Sequence, residues 1–165
     1  MTIDNLRRLF VFLLLCLAQV LVLSRIQLYH CATPMLYVYF VIIFPRHYPR
    51  WSILLWSFFM GLMIDAFENT PGVTAASLTL TGFLQPYLLE PLLPREAEED
   101  IKVSASSLGF WRFAAFAAIL ILIHCMVFFS LETFTFAGWS HWLPCVGGSA
   151  LLTFVLLMAM ERLRK

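Results

Sequence analysis

The chain has 165 residues, 61% of them hydrophobic and 13% charged, with a formal net charge of +1 and a mean hydropathy of +0.85. A soluble domain of this length cannot keep so much apolar surface from water, so a water-soluble fold is excluded. No basic patch interleaved with aromatics exists, so no nucleic acid is expected as a partner.

Six apolar stretches follow one another, at residues 9–23, 28–44, 51–67, 73–93, 110–131 and 142–160. Six crossings at about 20 residues each leave only short loops. The expected fold is an all-α polytopic membrane protein of about six transmembrane helices, with 1–165 as one integral membrane domain. With the N-terminus inside, the cytoplasmic segments collect Arg7, Arg8, Arg46, Arg50, Arg95, Lys102, Arg112, Arg162, Arg164 and Lys165. Only Arg25 falls outside. Lys and Arg are retained on the cytoplasmic face during insertion, so both termini are predicted to be cytoplasmic.

The first stretch follows Arg7 and Arg8 and has the look of a signal peptide. Ser24-Arg25-Ile26-Gln27 is a poor cleavage site, so a retained first helix is expected. The second has a clean apolar core, Met35 to Phe44, that covers only about 15 Å as helix. Pro34 and Pro45 bracket it, which suggests a short, broken or re-entrant segment. Charge parity arbitrates: without this crossing, Arg46, Arg50, Arg95, Lys102 and the C-terminal cations would all lie outside. It is predicted to cross.

Pro45-Arg46-His47-Tyr48-Pro49-Arg50 reads as a rigid cytoplasmic turn, and Trp51 and Trp56 open the third span at the interface. The outer turn Glu68-Asn69-Thr70-Pro71-Gly72 makes spans three and four antiparallel neighbours. Span four carries Pro86 and ends at Pro91 and Pro94, so a kink is expected near Gln85. The polar stretch 94–109, with Glu96, Glu98, Glu99 and Asp100, reads as a solvated loop, with protein docking as the alternative. Span five is rich in small residues, and the Ala114/Ala118 spacing offers a face for close helix docking. Trp139 and Trp142 are expected at the outer interface, and Glu161-Arg162-Leu163-Arg164-Lys165 closes the chain as a cytoplasmic anchor.

Charge in hydrocarbon is costly, so acidic groups on spans are candidates for function. Asp65 lies one turn after Gly61, on the same helix face. Gly61 lets a neighbouring backbone approach, and the carboxylate can accept hydrogen bonds from that neighbour or cap the next turn. The alternative is a hydrated interfacial carboxylate. Glu90 and Glu132 read as headgroup-level residues. Arg25 is either a snorkelling side chain or a partner for Asp65 or Glu68. His124, in mid-span, is suited to ligation, to proton transfer, or to a neutral imidazole bonded to a neighbouring helix. Cys16, Cys31, Cys125 and Cys145 lack CxxC spacing and read as packing residues rather than a disulfide or metal site. No GxSxG, HExxH or Walker A motif, and no paired intramembrane carboxylates, occur in the chain. No enzyme, catalytic set, metal or cofactor is expected.

Gly61-Leu62-Met63-Ile64-Asp65, then Pro71-Gly72-Val73 and the small run Thr74-Ala75-Ala76-Ser77, resembles the signature region of the rod shape-determining membrane protein family MreD. The short second span ending in Pro45, the six-span layout and the length are similar as well. The resemblance implies Gly61, Asp65, Pro71 and Gly72 as motif residues with a structural or partner-coupling role. It further implies a fold similar to the substrate-binding subunits of energy-coupling-factor transporters. It also implies a non-enzymatic scaffold or regulator of the cell-elongation complex in the bacterial inner membrane, supporting lateral peptidoglycan synthesis and cell shape. Implied partners are MreC directly, with MreB, RodA and a penicillin-binding transpeptidase through the complex, and membrane lipid around it. The alternative function is a solute-binding subunit of an energy-coupling-factor-type transporter. Asp65, Glu68, Arg25, Trp139 and His141 are its candidate outer polar groups.

Overall fold

The computed structural model describes residues 3–21, 33–45, 48–93, 103–133 and 139–163, and among these it is all-helical. The helices are α1 (Ile3–Leu21), α2 (Val38–Ile42), α3 (Arg50–Glu68), α4 (Val73–Leu89), α5 (Ala105–Leu108), α6 (Phe110–Thr133) and α7 (Trp139–Leu163). A 3-10 turn, Glu90–Leu92, extends α4. Three segments are long and apolar enough to cross a membrane: Arg50–Glu68, Phe110–Glu132 and Leu143–Leu163. The other two long helices are α4, which has 17 residues, and α1, which carries Asp4, Arg7 and Arg8 in its first turns.

The outward faces of these helices are apolar. Phe10, Trp51, Phe67, Trp111, Leu151 and Leu163 are all exposed. Apolar residues that a soluble protein would hide are thus spread over the surface of several helices.

The bundle has two distinct ends. At one, the Arg8 guanidinium lies 3.9 Å from the Tyr48 ring centroid, and Arg50 Nη1 donates to the Tyr87 hydroxyl at 3.1 Å. The starts of α1 and α3 and the finish of α4 therefore meet there. At the opposite end, the Gln19 amide lies against the Glu68 carboxylate, close to the tight turn between α3 and α4.

Residues 33–45 run down the middle. Val38, Val41 and Ile42 are 0% exposed, and Tyr37 and Phe40 are 1% exposed. Polar contacts fix the direction of this segment. It is antiparallel to α1, because Pro34 and Leu36 meet Gln19 whereas Phe44 and Tyr48 meet Arg8. It runs parallel to α7, with Thr33 at Ser149, Met35 at Thr153 and Tyr39 at Glu161. Phe12, Phe40 and Trp56 pack edge-on, with centroids 5.6 to 6.1 Å apart, and join α1, α2 and α3.

Several expectations change. Among the described residues of the second stretch, five are α-helical, Val38–Ile42, and Pro45 closes the segment. Its first residues, up to 32, lie outside the described residues, as do Arg25, Cys31, Arg46, Arg95, Lys102, Arg164 and Lys165. The polar stretch 94–109 is not all solvated loop. Val103 and Leu108 are buried, and Ser104 caps α5 through the Ser107 N–H at 3.3 Å. Cys145 is disulfide-bonded, against the reading of the cysteines as packing residues, whereas Cys16 and Cys125 are free and buried. Glu161 is no exposed anchor: it is 6% exposed and accepts from the Tyr39 hydroxyl at 2.7 Å.

Candidate functional site: the Gly61–Asp65 lock and the central polar chain

The spacing of four places Gly61 and Asp65 on one face of α3, and that face meets the start of α4. A Cβ built on Gly61 would lie 2.4 Å from Ala75 Cα and 2.8 Å from the Thr74 carbonyl oxygen. Only glycine admits the α4 backbone at this distance. One turn on, Asp65 is 5% exposed and takes four hydrogen bonds. Oδ1 accepts from the Thr70 hydroxyl at 3.0 Å and from Thr74 N at 2.9 Å. Oδ2 accepts from Gly72 N at 3.1 Å and Ala75 N at 2.9 Å.

The first N–H groups of any α-helix lack intrahelical partners and carry the positive end of the helix dipole. Here a carboxylate from the preceding helix supplies the missing acceptors. Two oxygens offer about four lone-pair sites, so four donors saturate the group. The turn is shaped to bring these donors together. Asn69 is left-handed with φ 58° and gives its N–H to the Asp65 carbonyl, and Gly72 has φ 86°. No neighbouring atom lies within 4 Å of a Cβ placed at Gly72, so the backbone angle alone requires glycine there. Pro71 is exposed at the tip. Thus Gly61, Asp65 and Gly72 form one device: clearance, acceptor and turn.

A second close approach extends the same seam. A Cβ on Gly82 would lie 2.5 Å from Ser57 Oγ, and that hydroxyl is already turned onto the Ile53 carbonyl at 2.7 Å. Glycine on α3 faces α4 at one end of the pair, and glycine on α4 faces α3 further along.

Beside the lock, a buried polar chain links three elements. Thr81 Oγ1 donates to the Ser77 carbonyl at 2.7 Å, so toward His124 Nδ1, 3.2 Å away, it acts as acceptor. Nδ1 therefore carries the proton, and Nε2 accepts from the Tyr37 hydroxyl at 3.1 Å. The neutral Nδ1–H imidazole satisfies both contacts. The mid-span histidine thus bridges α4 and the central segment. Among the described residues, Thr74 Oγ1 is the buried side-chain polar atom without a partner; it lies beside the Tyr37 hydroxyl without hydrogen-bond geometry.

Polar side chains also serve the irregular backbone of residues 33–45. Gln19 Nε2 donates to the Pro34 carbonyl at 3.0 Å, and its Oε1 accepts from Leu36 N at 3.2 Å. Ser149 and Thr153 accept from Thr33 N and Met35 N at 3.1 and 2.9 Å. Gln85 Nε2 donates to the Phe44 carbonyl at 3.2 Å. These residues escaped the sequence reading. Their one visible signal is the four-residue spacing of Cys145, Ser149, Thr153, Leu157 and Glu161, a buried stripe along an otherwise apolar helix.

The remaining sequence candidates scatter. Glu90 and Glu132 are exposed at helix ends, and Arg25 lies outside the described residues. Ala117 is fully buried beside Phe113 and Phe116, whereas Ala114 is half-buried and Ala118 exposed. The Ala114/Ala118 face is thus at the bundle surface. Among the described residues, no group of His, Cys, Asp and Glu is arranged to hold a metal ion. Comparison with protein families, curated proteins and solved structures finds no match for this chain.

Proposed function

We propose that this chain is a non-enzymatic scaffold of the cell-elongation complex in the bacterial inner membrane. It crosses six times with both ends in the cytoplasm, and binds a single-span protein of the MreC type, through which MreB, RodA and a penicillin-binding transpeptidase are reached. The observation that carries this reading is the consumption of polar chemistry inside the bundle. Asp65 is saturated by four donors, and His124, Gln19 and Glu161 are committed to neighbouring elements. Among the described residues, what remains for a partner is helix surface. The Ala114/Ala118 face of α6 is the best of it, because small side chains let a second helix come close where lipid removes the hydrophobic drive. The antiparallel course of residues 33–45 against α1 supports a second, short crossing. Irregular backbone at membrane depth is tolerated where it is buried in protein and its polar groups find partners there, as those of residues 33–36 do.

The competing solute-carrier reading is weakened by the same facts. Its principal acidic candidate has no free acceptor site, and the middle of the bundle is filled by Tyr37, Phe40 and Ile42.

Ala118→Trp tests the proposal. The side chain points out of the bundle, so the protein should accumulate normally, while an MreC-like protein no longer co-purifies from membranes and cells lose rod shape. Normal shape and undiminished co-purification would remove α6 as the docking face. Co-purification of a transporter ATPase in place of a wall-synthesis protein would overturn the scaffold role itself.

A further inference from the structure

We propose that the end of the bundle carrying Arg8 and Arg50 holds a seat for one anionic phospholipid, whose phosphate these two guanidinium groups bind. The inference goes beyond the scaffold role and does not depend on it; it rests on the chain lying in a bilayer.

Both cations are held by aromatic rings and lack a counter-charge. The Arg8 guanidinium carbon lies 3.9 Å from the Tyr48 ring centroid and 6.0 Å from that of Phe44, and those two rings lie 5.2 Å apart. Arg50 lies 5.0 Å from the Tyr87 ring centroid and gives one N–H to the Tyr87 hydroxyl. A guanidinium carries five N–H donors in a planar fork that meets phosphate oxygens in pairs, so most of the donors on both groups remain for a ligand. Among the described residues no carboxylate pairs with either group, and Glu90, just beyond α4, is exposed. The rings restrict both side chains before a ligand arrives, so less rotamer freedom is lost on binding. The two cations also belong together. Arg8 lies on Tyr48, and the extended Pro49 joins Tyr48 to Arg50, a step of about 6.6 Å.

The surface around the two cations distinguishes a lipid from a free anion. Phe10 on α1, Trp51 and Leu55 on α3, and Phe83 and Tyr87 on α4 are exposed. A headgroup phosphate brings acyl chains that cover these apolar faces, whereas a free anion leaves them bare. Trp51 follows Arg50 directly, and indoles settle at headgroup level. The start of α3 adds positive potential, because Pro49 supplies no side-chain cap and the first turn holds no acidic residue. Two uncompensated cations select an anionic headgroup over a zwitterionic one, whose own ammonium would be repelled. Under the proposed topology this end meets the cytoplasmic leaflet, where anionic lipids draw juxtamembrane cations.

Native mass spectrometry of the full-length protein in neutral detergent tests the seat, with phosphatidylglycerol and phosphatidylcholine of identical acyl chains as probes. The wild type should hold one phosphatidylglycerol in preference to phosphatidylcholine. Arg8→Gln and Arg50→Gln should each raise the Kd for phosphatidylglycerol about fivefold and leave phosphatidylcholine binding unchanged. Arg112→Gln, which removes an exposed cation at the start of α6, should alter neither. Equal affinity of the wild type for the two lipids would overturn the seat, and that comparison needs no variant to fold. An equal loss in Arg112→Gln would also overturn it, because the attraction would then come from a diffuse layer of charge. Displacement of the bound phosphatidylglycerol by millimolar inorganic phosphate would show a free-anion site and overturn the choice of lipid.

Discussion

At Gly61 the fold tolerates no side chain, because the nearest obstacle is backbone rather than the flexible end of a neighbour. A methyl group there would sit 2.4 Å from Ala75 Cα, so α3 and α4 must move apart. Overpacking of this kind costs about 1–3 kcal/mol or more. Gly61→Ala should therefore lower the unfolding midpoint of the detergent-solubilised protein, and an unchanged midpoint would contradict the close approach. Asp65→Asn is a sharper probe, being nearly isosteric. One oxygen becomes an NH2 group, which faces two donors that previously met an acceptor. Hydrogen bonds to a charged group contribute about 1.5–3 kcal/mol each, and the displaced donors remain buried. Loss of at least that much stability is expected, whichever way the amide turns. Asp65→Asn as stable as the wild type would mean that the carboxylate does not cap α4. Spacing placed Gly61 and Asp65 on one face and suggested what each could do there. Which atoms of α4 they meet was not legible, because it depends on the left-handed Asn69 and Gly72 between them.

At the scale of elements, long apolar runs were readable and their ends were not. The stretch at 51–67 appears as Arg50–Glu68, and 110–131 appears as Phe110–Thr133. Apolar periodicity is strong in such segments, whereas their polar first and last turns look like loop. α1 begins at Ile3, six residues before the apolar run, because helix continues through Arg7 and Arg8. The central segment was the hardest to read. Its prolines predicted a short helix, but nothing local could reveal that Gln19, Ser149, Thr153 and Gln85 supply its missing backbone partners. Those residues are up to 118 positions away. Thr153→Val preserves shape and removes the acceptor for Met35 N, and Gln19→Leu removes both the donor to Pro34 and the acceptor for Leu36. An unpaired buried backbone group costs about 1–3 kcal/mol. Gln19→Leu should thus be the more destabilising of the two in thermal unfolding. If both variants unfold like the wild type, the central segment is not held by these side chains.

At the scale of the molecule, the bundle has two chemically different ends. Arg8 and Arg50 sit at the end where α1 and α3 begin, each against a tyrosine ring. Gln19 and Glu68 lie toward the other end. Under the proposed topology, the end that carries Arg8 and Arg50 is the cytoplasmic one. The charge pattern of the sequence groups Arg8 with Arg50; the course of residues 33–45 between α1 and α7 needed the structure. Residues 33–45 run back along α1, which lets the starts of α1 and α3 share an end.

Side-specific labelling of single introduced cysteines in intact cells tests this arrangement most directly. Asn69→Cys, in the turn between α3 and α4, should react with a membrane-impermeant maleimide added outside. His47→Cys and Lys165→Cys should react only after the membrane is permeabilised. If positions 47 and 165 are labelled from outside and position 69 is not, the orientation is reversed. If positions 47 and 69 are labelled from the same side, α3 does not cross and the six-crossing arrangement is wrong.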